Sequence, residues 1–297
     1  MGKREKIKIV SKYKKSVYKN TADIKSILVN DGLYTKDILR NYERILTKTS
    51  ETIVSKWKRN EKYVRTEFVL KAFAEFYPEI YFELSIQIDA MINILDDLLD
   101  EKLDHNSKIT YVLEYLRVFS IYCLNHPKKE IQLNMSNYFN KLITLAIAEP
   151  GYIDIVSTQK DMNKIVSLSI ELLMLRSHDV DIFVQIAASG CKDIDYSSVK
   201  KSFGIYRALN ILKKDIVDID HDKKNKQSTM ITHMLGRKNE YDFKDYVTQT
   251  LSIFELEFAK SLSKQKNSNK QTLLVLSRLE KMFKAETEQA SSLLNTL

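Results

Sequence analysis

Apolar residues recur every three or four positions along almost the whole chain, the spacing of one face of an α-helix. Ile24, Ile27 and Leu28 lead into Ile38, Leu39, Tyr42, Ile45 and Leu46, and then into Ile53, Val54 and Trp57. A helix is predicted from about 62 to 76, ending at Tyr77-Pro78, because proline lacks an N–H and disfavours helical backbone in the residue before it. Residues 79 to about 103 read as one long apolar helix, interrupted on one face by Ser85, Asp89, Asn93, Asp96, Asp97, Asp100 and Asp104. Further helices are predicted over 109–123, 129–148 and 161–188, with breaks at His126-Pro127, Pro150-Gly151 and Ser189-Gly190. Another runs from 197 to about 220. The tail from 240 onward divides into two or three more, with a Lys/Asn/Ser-rich turn at 264–271.

Composition sharpens this picture. Only 6 Gly and 3 Pro occur, too few turn residues for a β-rich fold of 297 residues. Hydrophobic residues at 44% suffice for a core, and charged residues at 29% fit a solvated surface. With no linker and no repeat, the expectation is an all-α, single-domain helical bundle over 21–297, preceded by a basic segment over 1–20. The net charge is +8, and the first twenty residues hold eight Lys or Arg against Glu5 alone. Such an arm permits at most peripheral contact with an anionic membrane surface. No basic-aromatic groove pattern follows it, so no nucleic-acid partner is expected. Cys123 and Cys191 belong to no metal-binding spacing. The start lacks an apolar signal core, and no run of eighteen apolar residues exists, so a cytoplasmic protein is expected.

Two acidic groups carry the candidate chemistry. Residues 94–100 read Ile-Leu-Asp-Asp-Leu-Leu-Asp. On a helix, Asp96 and Asp100 project together, with Asp97 about a third of a turn away. Acids set among apolar flanks repel one another unless a cation lies between them, and magnesium prefers carboxylate and phosphate oxygens. A second group lies at 214–222, Lys-Asp-Ile-Val-Asp-Ile-Asp-His-Asp, where Asp215, Asp218 and Asp222 share one helical face and Asp220 and His221 point elsewhere. The other histidines are scattered, and neither a glycine-rich phosphate loop nor a Ser-His-Asp arrangement occurs.

Asp96-Asp97-Leu98-Leu99-Asp100 resembles the DDxxD motif of trans-polyprenyl diphosphate synthases and class I terpene synthases. Asp215 to Asp222 resembles their second aspartate-rich motif at a similar separation. Lys224-Asn225-Lys226 with Thr229-Met230-Ile231 is similar to the family's lysine followed by Thr-Leu-Pro. The resemblance covers essentially the whole chain. It implies the isoprenoid synthase fold, a helical bundle around a central apolar cavity with the two acidic helices facing each other at its mouth. It further implies three Mg²⁺ ions bridging Asp96, Asp97, Asp100, Asp215, Asp218 and Asp222 to an allylic prenyl diphosphate. Asp96, Asp97 and Asp100 would be catalytic, and Lys62, Arg65, Lys214, Lys224 and Lys226 would contact diphosphate. A homodimer, or a heteromer with another prenyl synthase chain, is implied as the assembly.

The chain also departs from the family's pattern. Of a Gly-Lys-Arg-x-x-Pro-like segment only Lys62 and Arg65 remain, and no Arg pair follows Asp100. A Lys-Thr pair is missing near 171–173, and Lys214 stands where an Asp is usual. Three readings follow. The first is a prenyltransferase with an atypical second-substrate site, similar to the ComQ-like branch that prenylates peptide pheromones. The second is a terpene cyclase; Lys214, Asp218 and Asp222 have the i, i+4, i+8 spacing of its metal motif, although the cyclases' terminal Arg-Tyr pair is absent. The third is a non-catalytic subunit of a heteromeric prenyl diphosphate synthase.

Overall fold

A computed structural model describes residues 65–77, 129–191, 193–225, 229–236 and 240–296, with isolated positions besides that include Ser85, Ile88, Asp89 and Ile92. Every regular element among these residues is helical, as the apolar spacing predicts, and no strand occurs among them. In chain order the helices are α1 (Arg65–Phe73), α2 (Lys129–Thr158), α3 (Met162–Arg176), α4 (Asp181–Ser189), α5 (Tyr196–Val217), α6 (Ile219–Asn225), α7 (Met230–Gly236), α8 (Glu240–Ser263) and α9 (Lys270–Thr296). Short 3-10 turns occupy Ala74–Phe76 and Ser177–Val180. The chain divides into two compact units, Met1–Ser136 and Asn137–Leu297, with the boundary inside α2. No helix among the described residues is long and apolar enough to cross a membrane.

In the first unit, α1 buries Phe68, Val69, Ala72 and Phe73, the pattern of a helix with one apolar face. Its first turn rests on Asp89, which is fully buried and accepts from the Thr66 N–H at 3.0 Å and from Arg65 at 3.3 Å. First-turn N–H groups have no acceptor within their own helix, and a carboxylate there also complements the helix dipole. Ser85, one helical turn before Asp89, accepts from Thr66 through its carbonyl at 3.3 Å, and its hydroxyl meets the Tyr77 hydroxyl at 2.5 Å. Past the end of α1, Ala74 has φ 45°, a left-handed backbone usually left to glycine.

In the second unit α5 is the central helix. It packs against α3, α4, α8 and α9. Every residue from 202 to 212 is buried, so this stretch has no solvent face. Its polar members are therefore matched: Ser202 shares a hydrogen bond with Ser261 of α8 at 2.8 Å, and Arg207 is paired with Asp179. Fully buried Phe183, Phe203 and Phe254 stabilise the unit by about 1.5–3 kcal/mol each through removal from water. Phe258 of α8 stacks on Phe283 of α9, with ring centroids 4.0 Å apart. Between α8 and α9 the turn falls where the Lys/Asn/Ser-rich stretch predicts it. Asn269 caps α9 by accepting from the Thr272 N–H at 2.9 Å, and its amide donates to the Asp193 carbonyl.

Three boundaries differ from the sequence reading. Helix α2 runs through Pro150-Gly151 instead of stopping there. Both residues are exposed. The single helix expected over 161–188 is broken at Ser177–Val180, although no Gly or Pro lies there. The Ser177 hydroxyl turns back onto the Met174 carbonyl at 2.7 Å, and side chains on both sides of the break are held by α5. Finally, α5 ends at Val217, and Asp218 caps it through an N–H bond to the Lys214 carbonyl at 2.9 Å.

Candidate functional site

The C-terminal end of α5 carries the second acidic row. The cap at Asp218 does not scatter it. The Asp222 N–H returns to the Asp218 carbonyl at 2.8 Å, so the chain re-enters a helical turn and the three acids stay electrostatically linked. Asp215 and Asp222 are buried, Asp218 is partly exposed, and Asp220 and His221 are exposed.

Each acid meets a different environment. Asp215 is held by Arg176, the last residue of α3, with NH1 donating to Oδ2 at 2.6 Å and NH2 to Oδ1 at 3.4 Å. Glu149 of α2 lies 3.9 Å from the same guanidinium. Burial alone would weaken the charge on Arg176, but Asp215 and then Glu149 outweigh it and hold the group above its ordinary value. Asp218 is paired with Lys214 one turn back at 3.3 Å. Asp222 meets His221 at 3.5 Å, and among the described residues no Lys or Arg is paired with it. Burial first, and the neighbouring Asp218 and Asp215 after it, raise the Asp222 carboxyl above the usual range despite His221. Beneath this group Tyr246 of α8 is fully buried. Its phenol is pushed up to about 12, chiefly by burial; a hydrogen bond with Ser169 opposes this, and the Asp215 charge adds to it.

The remaining residues singled out from the sequence fall as follows. Asp96, Asp97, Asp100, Lys62 and Lys226 lie outside the described residues. Arg65 is 8% exposed and its guanidinium lies on Asp89. Lys214 and Lys224 are exposed. Thr229 precedes α7, where its hydroxyl accepts from the Thr232 N–H at 3.2 Å. Among the described residues no three His, Cys, Asp or Glu side chains gather closely enough to hold an ion. For magnesium, which takes carboxylate oxygens, the second row offers Asp222 and, once released from Lys214, Asp218; at Asp215 the Arg176 guanidinium, bonded to both oxygens, sets a positive charge against a cation.

Sequence reasoning missed Arg176, Glu149 and Tyr246. Arg176 ends an apolar run, Ile-Glu-Leu-Leu-Met-Leu-Arg, with no motif around it, and its partner lies 39 positions away. A lone arginine closing a buried helix was the available signal, since a guanidinium leaving an apolar segment needs a carboxylate to meet. Comparisons with protein-family models, with curated proteins and with solved structures return no match to this chain.

Proposed function

We propose that this chain is a magnesium-dependent enzyme of the class I isoprenoid type, one that ionises an allylic prenyl diphosphate and transfers the prenyl group. The observation that supports this reading is the fixed Arg176 guanidinium beside the acidic row Asp215, Asp218 and Asp222. A diphosphate and its counter-ions require both partners at once. The guanidinium supplies planar donors to phosphate oxygens, and carboxylates supply hard oxygen ligands to a divalent ion. Asp96, Asp97 and Asp100 would be further metal ligands, as the DDxxD resemblance implies. Magnesium bound with the diphosphate supplies the positive charge that makes it a leaving group.

The test is incubation of the full chain with Mg²⁺ and a panel of allylic diphosphates, with and without isopentenyl diphosphate. Pyrophosphate release and products are followed by mass spectrometry. The reading expects Mg²⁺-dependent release that Asp96→Asn and Asp100→Asn each abolish, and little chain elongation. Efficient formation of longer polyprenyl diphosphates points instead to an ordinary synthase, and a cyclic hydrocarbon or alcohol points to a cyclase. No release from any substrate overturns the reading. The Lys214–Asp218 pair favours one second reading, a non-catalytic subunit whose second acidic row is neutralised from within. In that case release appears only when a catalytic prenyl synthase chain is added, and it survives Asp96→Asn in this chain.

A further inference from the structure

The acidic row at the end of α5 carries its own cations. Arg176 and Lys214 stand against Asp215 and Asp218, and their formal charges cancel pair by pair. The two pairs are physically unequal. Lys214 is 60% exposed in its side chain and Asp218 36%, so water screens that pair and an incoming ligand can open it. The Asp215 side chain is 10% exposed and meets the guanidinium with both oxygens, the forked geometry that a carboxylate shares with a phosphate. A divalent ion placed on Asp215 would sit within a few ångströms of Arg176. The two like charges would repel each other strongly at that distance in a site so little exposed to water.

We infer that Asp215 is the counter-ion that positions Arg176 rather than a metal ligand, and that this end of α5 meets a phosphate-bearing ligand with the Arg176 guanidinium where a divalent ion would otherwise stand. Asp215 takes two of the five N–H donors of the guanidinium, Glu149 lies near a third, and the Arg176 side chain keeps 27% of its surface exposed. Asp222 and Asp218 then remain as the metal-binding oxygens of this row, and the ion count with bound diphosphate falls below the three that the family resemblance implies. The ligand part rests on the isoprenoid reading; the counter-ion part rests on geometry alone.

The experiment uses the full chain with inorganic pyrophosphate as the probe. Bound Mn²⁺ is counted by electron paramagnetic resonance, pyrophosphate affinity is measured by calorimetry, and stability is measured by urea unfolding. Asp215→Asn is expected to leave the Mn²⁺ count unchanged, whereas Asp222→Asn lowers it. Arg176→Gln is expected to weaken pyrophosphate binding about ten-fold or more. Asp215→Asn and Arg176→Gln each shift the urea midpoint, and the double variant shifts it by less than their sum. A lower Mn²⁺ count in Asp215→Asn, with the wild type binding normally, overturns the inference and leaves the proposed function standing. Strictly additive stability losses overturn the counter-ion assignment. A wild type that binds neither Mn²⁺ nor pyrophosphate overturns the ligand part together with the proposed function. If Asp215→Asn does not fold, Arg176→Lys decides: it keeps the charge but not the fork, so it loses affinity at an unchanged ion count, and undiminished affinity overturns the inference.

Discussion

Arg207 grips Asp179 with two hydrogen bonds, Nε to Oδ1 at 2.9 Å and NH2 to Oδ2 at 2.6 Å, across 28 residues of sequence. The arginine lies in the middle of the fully buried stretch of α5, and the aspartate lies in the 3-10 turn between α3 and α4. Their side chains are 8% and 13% exposed, so neither charge has water to replace its partner. Asp179→Asn is expected to cost about 3–5 kcal/mol, because it removes the carboxylate charge that the buried guanidinium grips with two hydrogen bonds. The double change Arg207→Met with Asp179→Asn is expected to cost less than Asp179→Asn alone. Urea unfolding of the three variants measures this, and a loss below about 1 kcal/mol for Asp179→Asn shows the pair to be hydrated.

Gly204 sits where α5 passes the end of α3. A Cβ added there would meet the Met174 methyl at 3.5 Å and the Ser177 hydroxyl at 3.6 Å, ordinary contact distances. Its backbone is helical, so the conformational freedom of glycine serves no purpose at this position. Gly204→Ala is expected to stabilise the protein by about 0.5–1 kcal/mol, the usual gain inside a helix. Gly204→Leu is expected to destabilise it, because Met174 and Ser177 already lie against the Cβ position and the further atoms must displace buried neighbours. Thermal unfolding distinguishes the two; equal losses from both would mean that the helices pack more tightly than these distances allow.

Glu257 on α8 accepts from Lys201 of α5 at 2.9 Å and from Lys260 on its own helix at 3.0 Å. Hydrogen bonds from Lys201 first, and Lys260 second, bring its carboxyl down to about 2. Because the folded value lies below the unfolded one, the stabilisation is present above the ordinary glutamate range and is lost as pH falls through that range toward 2. The carboxyl carbon of Glu257, followed by NMR at low salt, is expected to titrate below its ordinary midpoint. Lys201→Ala is expected to raise that midpoint more than Lys260→Ala does, and concentrated salt is expected to raise it in the wild type. An ordinary midpoint at low salt would mean that the α5–α8 link does not form in solution.

The helical class of this protein was legible in the sequence because it depends on local information. Apolar spacing near 3.6 residues, with few Gly or Pro to interrupt it, selects the same backbone whatever the neighbours are. The stop near Tyr77-Pro78, the break after Ser189 and the turn between α8 and α9 follow from the same local chemistry. Asp215, Asp218 and Asp222 stay close although α5 ends at Val217, because the Asp222 N–H returns to the Asp218 carbonyl.

The choice of ion partners belonged to the tertiary structure. Arg176 meets Asp215 because the end of α3 comes to lie on α5, and Arg65 meets Asp89 over the first turn of α1; no spacing in the sequence pairs either couple. The break at Ser177–Val180 has the same origin. No Gly or Pro there stops a helix, but Arg176 is drawn to Asp215 and Asp179 to Arg207, so the segment follows α5. Periodicity is set by bonds between residues a turn apart, whereas a buried charge is decided by whichever opposite charge the packing of distant helices delivers.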